Sequence, residues 1–151
     1  MYEPFLILHS WIRWFAVVTG ILATLSAFAN RPGTSPASSD RWGLFFMIAL
    51  DLQLLIGLLL YAVFSPTTEA IFKDFGAAMR DPAARFWAVE HVTAMIFATV
   101  LVHAGRILAR KARTPMARRT RMLTCFAIAT LLMAAAIPWP GLGNGRPLFR
   151  I

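Results

Sequence analysis

Apolar and polar positions in this chain are segregated in long blocks rather than alternating. Four apolar stretches run from about Pro4 to Ala29, Gly43 to Phe64, Phe86 to Leu108 and Met122 to Ile137. A bilayer core of about 30 Å takes about 20 helical residues to cross, and the first three stretches meet that length. The fourth is short in apolar residues alone, but a helix begun at Pro115 is long enough and lets its arginines extend to the interface. The junctions carry helix punctuation. Ser65-Pro66, Asp81-Pro82 and Thr114-Pro115 each place a capping side chain before a proline suited to the first helical position. Asp40 can cap the second span and Pro138 ends the fourth. The pattern predicts an all-α, four-transmembrane-helix bundle in a single domain, with spans at about 4–29, 43–64, 86–108 and 115–137.

The connections differ in kind. Residues 30–40, rich in Pro, Gly and Ser, predict a flexible loop. Residues 66–80 set Ile71, Phe72, Phe75 and Met79 at helical spacing, which predicts a short amphipathic helix lying at the membrane interface between spans two and three. No internal repeat is visible. Gly141-Leu142-Gly143-Asn144-Gly145 superficially resembles a phosphate loop but lacks the lysine and the following helix.

Composition supports a membrane location. Of 151 residues, 58% are hydrophobic and 15% charged, with a net charge of +8. That excludes intrinsic disorder, and the single cysteine, Cys125, excludes a disulfide-built domain. Cys125 falls inside span four and is expected to be inert. Span one is read as retained: Ala27-Phe28-Ala29 imitates a cleavage site, but the first ten residues contain no Lys or Arg and include Glu3. Basic residues concentrate between spans three and four, at Arg106, Arg110, Lys111, Arg113, Arg118, Arg119 and Arg121, with no acidic residue among them. By the positive-inside rule this 106–121 connection is cytoplasmic and both termini lie outside, in the periplasm if the cell is Gram-negative. The cluster reads as a topological anchor beside anionic lipid rather than a nucleic-acid patch.

Ionisable groups at membrane depth are costly and so mark candidate function. They are His9, Arg13, Asp51, Glu90, His91 and His103, joined by the neutral Gln53. His9 and His91 each lie about five residues inside the outer end of their spans, so both sit about 7–8 Å down from the same face. Inward side chains matched in depth on separate helices are how four-helix bundles build cofactor and metal sites. Arg13, one turn after His9, shares its face and can hold a cofactor carboxylate or pair with Glu90. His103 lies about 18 Å along the axis from His91 and off its face. It is either a second-site ligand, with Met47 at similar depth, or a side chain snorkelling to the interface. Asp51 is a proton-relay candidate, or a hydrogen-bond partner for Thr19 or Thr99. Trp11, Trp14, Trp87 and Trp139 fit an aromatic belt on the outer side, with Trp42 its inner counterpart. Three uses of the histidine pair stand open. One is bis-histidine haem ligation. Another is a transition-metal site adding Glu90, which diverges by 100° from His91 on a helix. The third is polar contact that fixes helix register.

Four motifs carry a resemblance. His9-Ser10-Trp11-Ile12-Arg13-Trp14, Asp51-Leu52-Gln53-Leu54-Leu55-Ile56-Gly57-Leu58, Arg85-Phe86-Trp87-Ala88-Val89-Glu90-His91 and Ile137-Pro138-Trp139-Pro140 together resemble an uncharacterised family of small four-helix bacterial inner-membrane proteins labelled cytochrome b-like. The resemblance covers nearly the whole chain. It implies haem b as cofactor and single-electron exchange between a membrane quinone or quinol and a partner at the outer surface, an oxidoreductase-type role. Four-helix cytochromes b that carry two haems use four histidines. This chain has three, which leaves one haem, on His9 and His91 with Arg13 beside it, and a second without a full ligand set. The rival expectation is a non-catalytic subunit or assembly partner of a larger membrane complex, or a homo-oligomer, with no cofactor. Neither expectation involves nucleic acid, and no nucleophile–base constellation suggests hydrolysis.

Overall fold

The computed structural model of the protein describes residues 1–30 and 37–149. Helix α1 spans Tyr2–Ala29 and α2 spans Ala37–Leu59, continued by a wider π turn at Leu60–Phe64. Three short helices follow, α3 (Pro66–Lys73), α4 (Phe75–Arg80) and α5 (Pro82–Arg85). A second π turn, Phe86–Glu90, leads into α6 (His91–Arg110), and α7 covers Pro115–Ala135. Among the described residues there is no strand.

Three of these segments, Tyr2–Ala29, Ser38–Phe64 and Pro82–Arg110, are long and apolar enough to cross a membrane. The fourth expected span is helical, but Arg118, Arg119 and Arg121 occupy its opening turns and it falls outside that group. The capping prolines work as the sequence predicts. Ser65, Asp81 and Thr114 accept hydrogen bonds from the backbone N–H groups of Thr68, Ala84 and Ala117. Asp40 does not cap α2: the helix starts earlier, at Ala37, so Asp40 lies within its first turn and is free to meet α7. Of the predicted 30–40 loop, residues 31–36 lie outside the described residues, and the rest beyond Asn30 is helical.

The long helices pack in the order α1, α2, α6, α7, with α7 closing back on α1. Their interior is built from small residues. On α1 the buried face carries Ala16, Thr19, Gly20, Ala23 and Ala27, while Phe15, Val18, Ile21, Leu25 and Phe28 point outward. Small inside and large apolar outside is the inverse of a soluble domain. It is the arrangement helices adopt when lipid supplies no driving force and close backbone approach does. Phe46 and Phe126 fill the gaps. A Cβ on Gly20 would come within 2.9 Å of the Phe46 ring, and one on Gly43 within 2.7 Å of Phe126. A Cβ on Gly105 would meet that of Cys125 at 2.6 Å, so α6 and α7 touch through a residue with no side chain.

The predicted interfacial helix is in two pieces. Asp74 leaves helical geometry and caps α4 by accepting from the Ala77 N–H, which breaks the single helix drawn over 66–80. Ile71 is turned inward and packs with Ala78 and Ala88, while Phe72, Phe75 and Met79 remain exposed. The glycine-rich tail is a turn, not a phosphate loop. Gly141 takes a φ of 91°, and a Cβ on Gly145 would strike the Trp139 carbonyl oxygen at 2.6 Å. The tail thereby folds back until the Leu148 carbonyl accepts from Arg13 Nη2 and Trp14 Nε1.

Candidate functional site

Helical spacing places Leu6, His9, Ser10 and Arg13 on one stripe of α1, and that stripe faces a cavity at the end of the bundle where the tail folds back. From α2 come Gln53 and Gly57, with Leu60 and Tyr61 from the π turn after it. Across the cavity stand His91 and Met95 of α6 and Trp87 of the second π turn. Met133 of α7, Ala136 just past its end and Arg146 of the tail complete the wall. Both π turns thus flank the cavity, and such turns frequently mark functional positions in helices. Tyr61 ties one to the other by donating to the Ala88 carbonyl at 2.6 Å.

The depth match read from the sequence brings the histidines together. α1 and α6 are diagonal in the bundle, yet the His9 and His91 ring centroids are 6.4 Å apart with planes inclined at 67°. His91 Nδ1 donates to the Ala136 carbonyl, just past the end of α7, at 2.9 Å. That bond fixes the tautomer and leaves Nε2 as the unshared lone pair, which is how protein histidines are oriented for ligation. His9 Nε2 lies 3.1 Å from the Gln53 amide nitrogen. Its Nδ1 is buried with no hydrogen-bond partner, and so is Gln53 Oε1. Amide oxygen and nitrogen exchange places by a half-turn. Turned that way, Gln53 Oε1 accepts from His9 Nε2–H and leaves Nδ1 with a lone pair to offer. Each imidazole then holds one unspent nitrogen. Space beside His9 depends on Gly57, where a Cβ would lie 3.1 Å from His9 Cε1.

The other candidates are distributed differently. Arg13 is 8% exposed and lines the cavity, but its guanidinium reaches the tail at the Leu148 carbonyl and lies 5.2 Å from the Trp14 ring. The Arg13–Glu90 pairing does not form: Glu90 accepts from Arg85 Nε at 2.7 Å on the exposed side. Glu90 therefore turns away from the histidines, as the 100° step from His91 requires. Among the described residues no cluster of three or more His, Cys, Asp or Glu could hold a metal ion. Met47 is partly buried and packs against the apolar core. Asp51 bonds neither Thr19 nor Thr99, whose hydroxyls return to carbonyls of their own helices. Its partner is His103, at 2.8 Å between Nε2 and Oδ1.

Sequence reasoning gave no role in the site to several residues of the cavity, among them Gln53, Gly57 and Arg146. Gln53 was available as a polar residue at membrane depth, but its pairing with His9 needs α1 and α2 to be neighbours. Gly57 gave only an isolated glycine in an apolar run. Arg146, 5.4 Å over the Trp87 ring, sits in a tail whose path is set by the Gly141–Gly145 turn. Compared with family models, with curated proteins and with solved structures, the chain matches none.

Two imidazoles that meet across a cavity, each with one unspent nitrogen, are a donor set that would suit a cofactor metal bound from both sides. Arg13 and Arg146 line the same cavity and bring positive charge to it. The cavity itself holds about 120 Å³, below the roughly 300–1,000 Å³ of sites for drug-sized ligands.

Proposed function

We propose that the protein is a membrane cytochrome b-like electron carrier that binds one haem b between His9 and His91. The observation that carries this reading is the meeting of two imidazoles from diagonal helices across a cavity, each with one nitrogen spent on orientation and one left over. Haem, when bound, supplies a one-electron couple. The chain's own part is to hold and tune it. His91 is fixed by the Ala136 carbonyl and His9 by Gln53. Arg13 and Arg146 supply positive charge at the cavity wall, and Met95, Met133 and Leu60 exclude water from it.

On this reading α7 is the fourth span. Its arginines lie at the cytoplasmic face of a bacterial inner membrane, and both termini and the histidine cavity lie towards the outside. The exposed Phe72, Phe75 and Met79 of α3 and α4 rest at the outer interface. Electrons pass between a membrane quinone or quinol and an acceptor at that surface. The resemblance of the His9–Trp14 and Arg85–His91 motifs to cytochrome b-like proteins supports the same assignment.

A second reading is favoured by the hydrogen bonds themselves. His9–Gln53 and His91–Ala136 also serve as register contacts in a cofactor-free subunit of a larger complex or in a homo-oligomer. One spectrum separates the two. Purified protein, oxidised and then reduced with dithionite, is expected to give a Soret band and a sharp α-band, both lost in His9→Ala and in His91→Ala. A colourless protein that takes up no added haem overturns the cytochrome.

A further inference from the structure

The His103–Asp51 pair is not used by the histidine cavity. Asp51 stands at the midpoint of the apolar segment Ser38–Phe64, and His103 lies two turns inside the end of α6. Both side chains are 43% exposed. Their neighbours on the same faces, Ile48 and Leu55 on α2 and Val100 and Ile107 on α6, are exposed apolar residues. Two ionisable groups therefore open sideways from the bundle within its apolar length, Asp51 near the middle of its segment and His103 nearer the Arg106 end, on a surface suited to hydrocarbon. Such groups normally turn to the bundle interior or to a water-filled cavity, because lipid leaves their remaining hydrogen-bond capacity unmet. Here that capacity is considerable. Beyond their mutual contact, Asp51 Oδ2 and His103 Nδ1 have no hydrogen-bond partner among the described residues.

We infer that the seam between α2 and α6 at Asp51 and His103 is a binding site for the headgroup of a membrane-dissolved quinol or quinone. Depth selects the ligand class. Phospholipid headgroups stay at the interface, whereas a ligand that reaches this level must dissolve in the acyl region and still carry a ring with hydroxyl or carbonyl oxygens. Asp51 accepts from a quinol hydroxyl. With Nε2–H given to Asp51, His103 Nδ1 is an acceptor and takes the second hydroxyl of the quinol; with that shared proton moved to Asp51, Nδ1–H donates to a quinone carbonyl. The tail of the quinol lies along the exposed Val100 and Ile107. The inference rests on the proposed exchange of electrons with quinone but not on haem, since the seam and the histidine cavity lie at different levels of α6, about 18 Å apart along its axis.

The test is photolabelling of the purified full chain in lipid nanodiscs with an azido-benzoquinone bearing a decyl tail, read by peptide mass spectrometry. The expected result is saturable label on peptides containing Asp51 or His103, displaced by decylubiquinone. It should fall at least tenfold in Asp51→Asn, in His103→Gln and in the double variant Asp51→Leu/His103→Leu, and persist in His9→Ala. Labelling in His9→Ala keeps this result independent of any failure of the haem assignment. The double leucine variant removes polar groups from a lipid-facing surface and should keep its thermal stability; if it does not fold, the two single variants decide. Label that survives in the single variants overturns the inference. So does label displaced by decylubiquinone only at the His9 cavity, or no displaceable label at all. Conversion of a dimer to a monomer by the double variant, without displaceable label in the wild type, would assign the pair to contact between copies instead.

Discussion

Where α2 and α7 begin, Arg118 closes on both carboxylate oxygens of Asp40, and Arg106 reaches the Asp40 carbonyl at 3.0 Å. Arg119 caps the end of α1 at the Ala27 and Phe28 carbonyls, and Arg121 meets the Leu108 carbonyl near the end of α6. Cations at helix C-termini satisfy orphan carbonyls and oppose the negative end of the dipole. At the opposite end the polar residues converge on a cavity, and His9 Nδ1 and Gln53 Oε1 remain unbonded inside it. At the closed end Arg106 Nε and Arg118 Nε are unbonded too, but their terminal guanidinium nitrogens are spent on Asp40. At the other end an imidazole and an amide keep unspent atoms beside a cavity, which is what a binding site requires.

The contrast can be broken by stability measurements, made as thermal or denaturant unfolding in detergent. Phe126 is fully buried at the closed end, against Gly43. Phe126→Ala should lose about 3–5 kcal/mol. Gly105→Ala follows: its new Cβ collides with that of Cys125, forcing α6 from α7 at a cost of about 1–3 kcal/mol. Less than half a kcal/mol for either would mean that this end is not the tightly packed one. For Asp40→Ala the expected loss is about 1 kcal/mol, kept small because the Asp40 side chain is 43% exposed.

At the cavity end the double variant His9→Leu/Gln53→Leu removes both partners of one hydrogen bond. It should change stability by less than about 1 kcal/mol, since replacing both members by apolar groups is close to neutral. Haem absorbance should vanish in the same variant. A large loss of stability would instead make the pair a register device. Gly57→Ala is the mildest change. Its Cβ pushes the His9 ring by a few tenths of an ångström, so stability should hold to within about 0.5 kcal/mol. Haem affinity should nonetheless fall severalfold, read by titration of the Soret band.

The sequence was legible for most of what a single helix decides, the Asp40 cap and the break at Asp74 excepted. A fixed rise per residue made His9 and His91 equal in depth before any packing was known, and the Ser65, Asp81 and Thr114 caps depend on the next three residues alone. It was illegible where two helices must be neighbours. Asp51 was matched to Thr19 or Thr99 because nothing local placed α2 beside α6 with His103 in reach. Arg13 was offered to Glu90 because the chain order hides that Arg85 is nearer and that the tail returns over α1. The interfacial helix was drawn as one piece because periodicity does not register that Asp74 can cap its own chain.

From the sequence alone came the helices, their apolar character and the level of each ionisable group along its own helix, since all three follow from spacing and hydration along a single segment. Which polar groups meet was decided by tertiary structure. The order α1, α2, α6, α7 put Gln53 on His9, set His91 across from it on the diagonal, and left His103 and Asp51 facing outward. A hydrogen bond acts only over about 3 Å, and no pattern within one helix fixes the distance to the next.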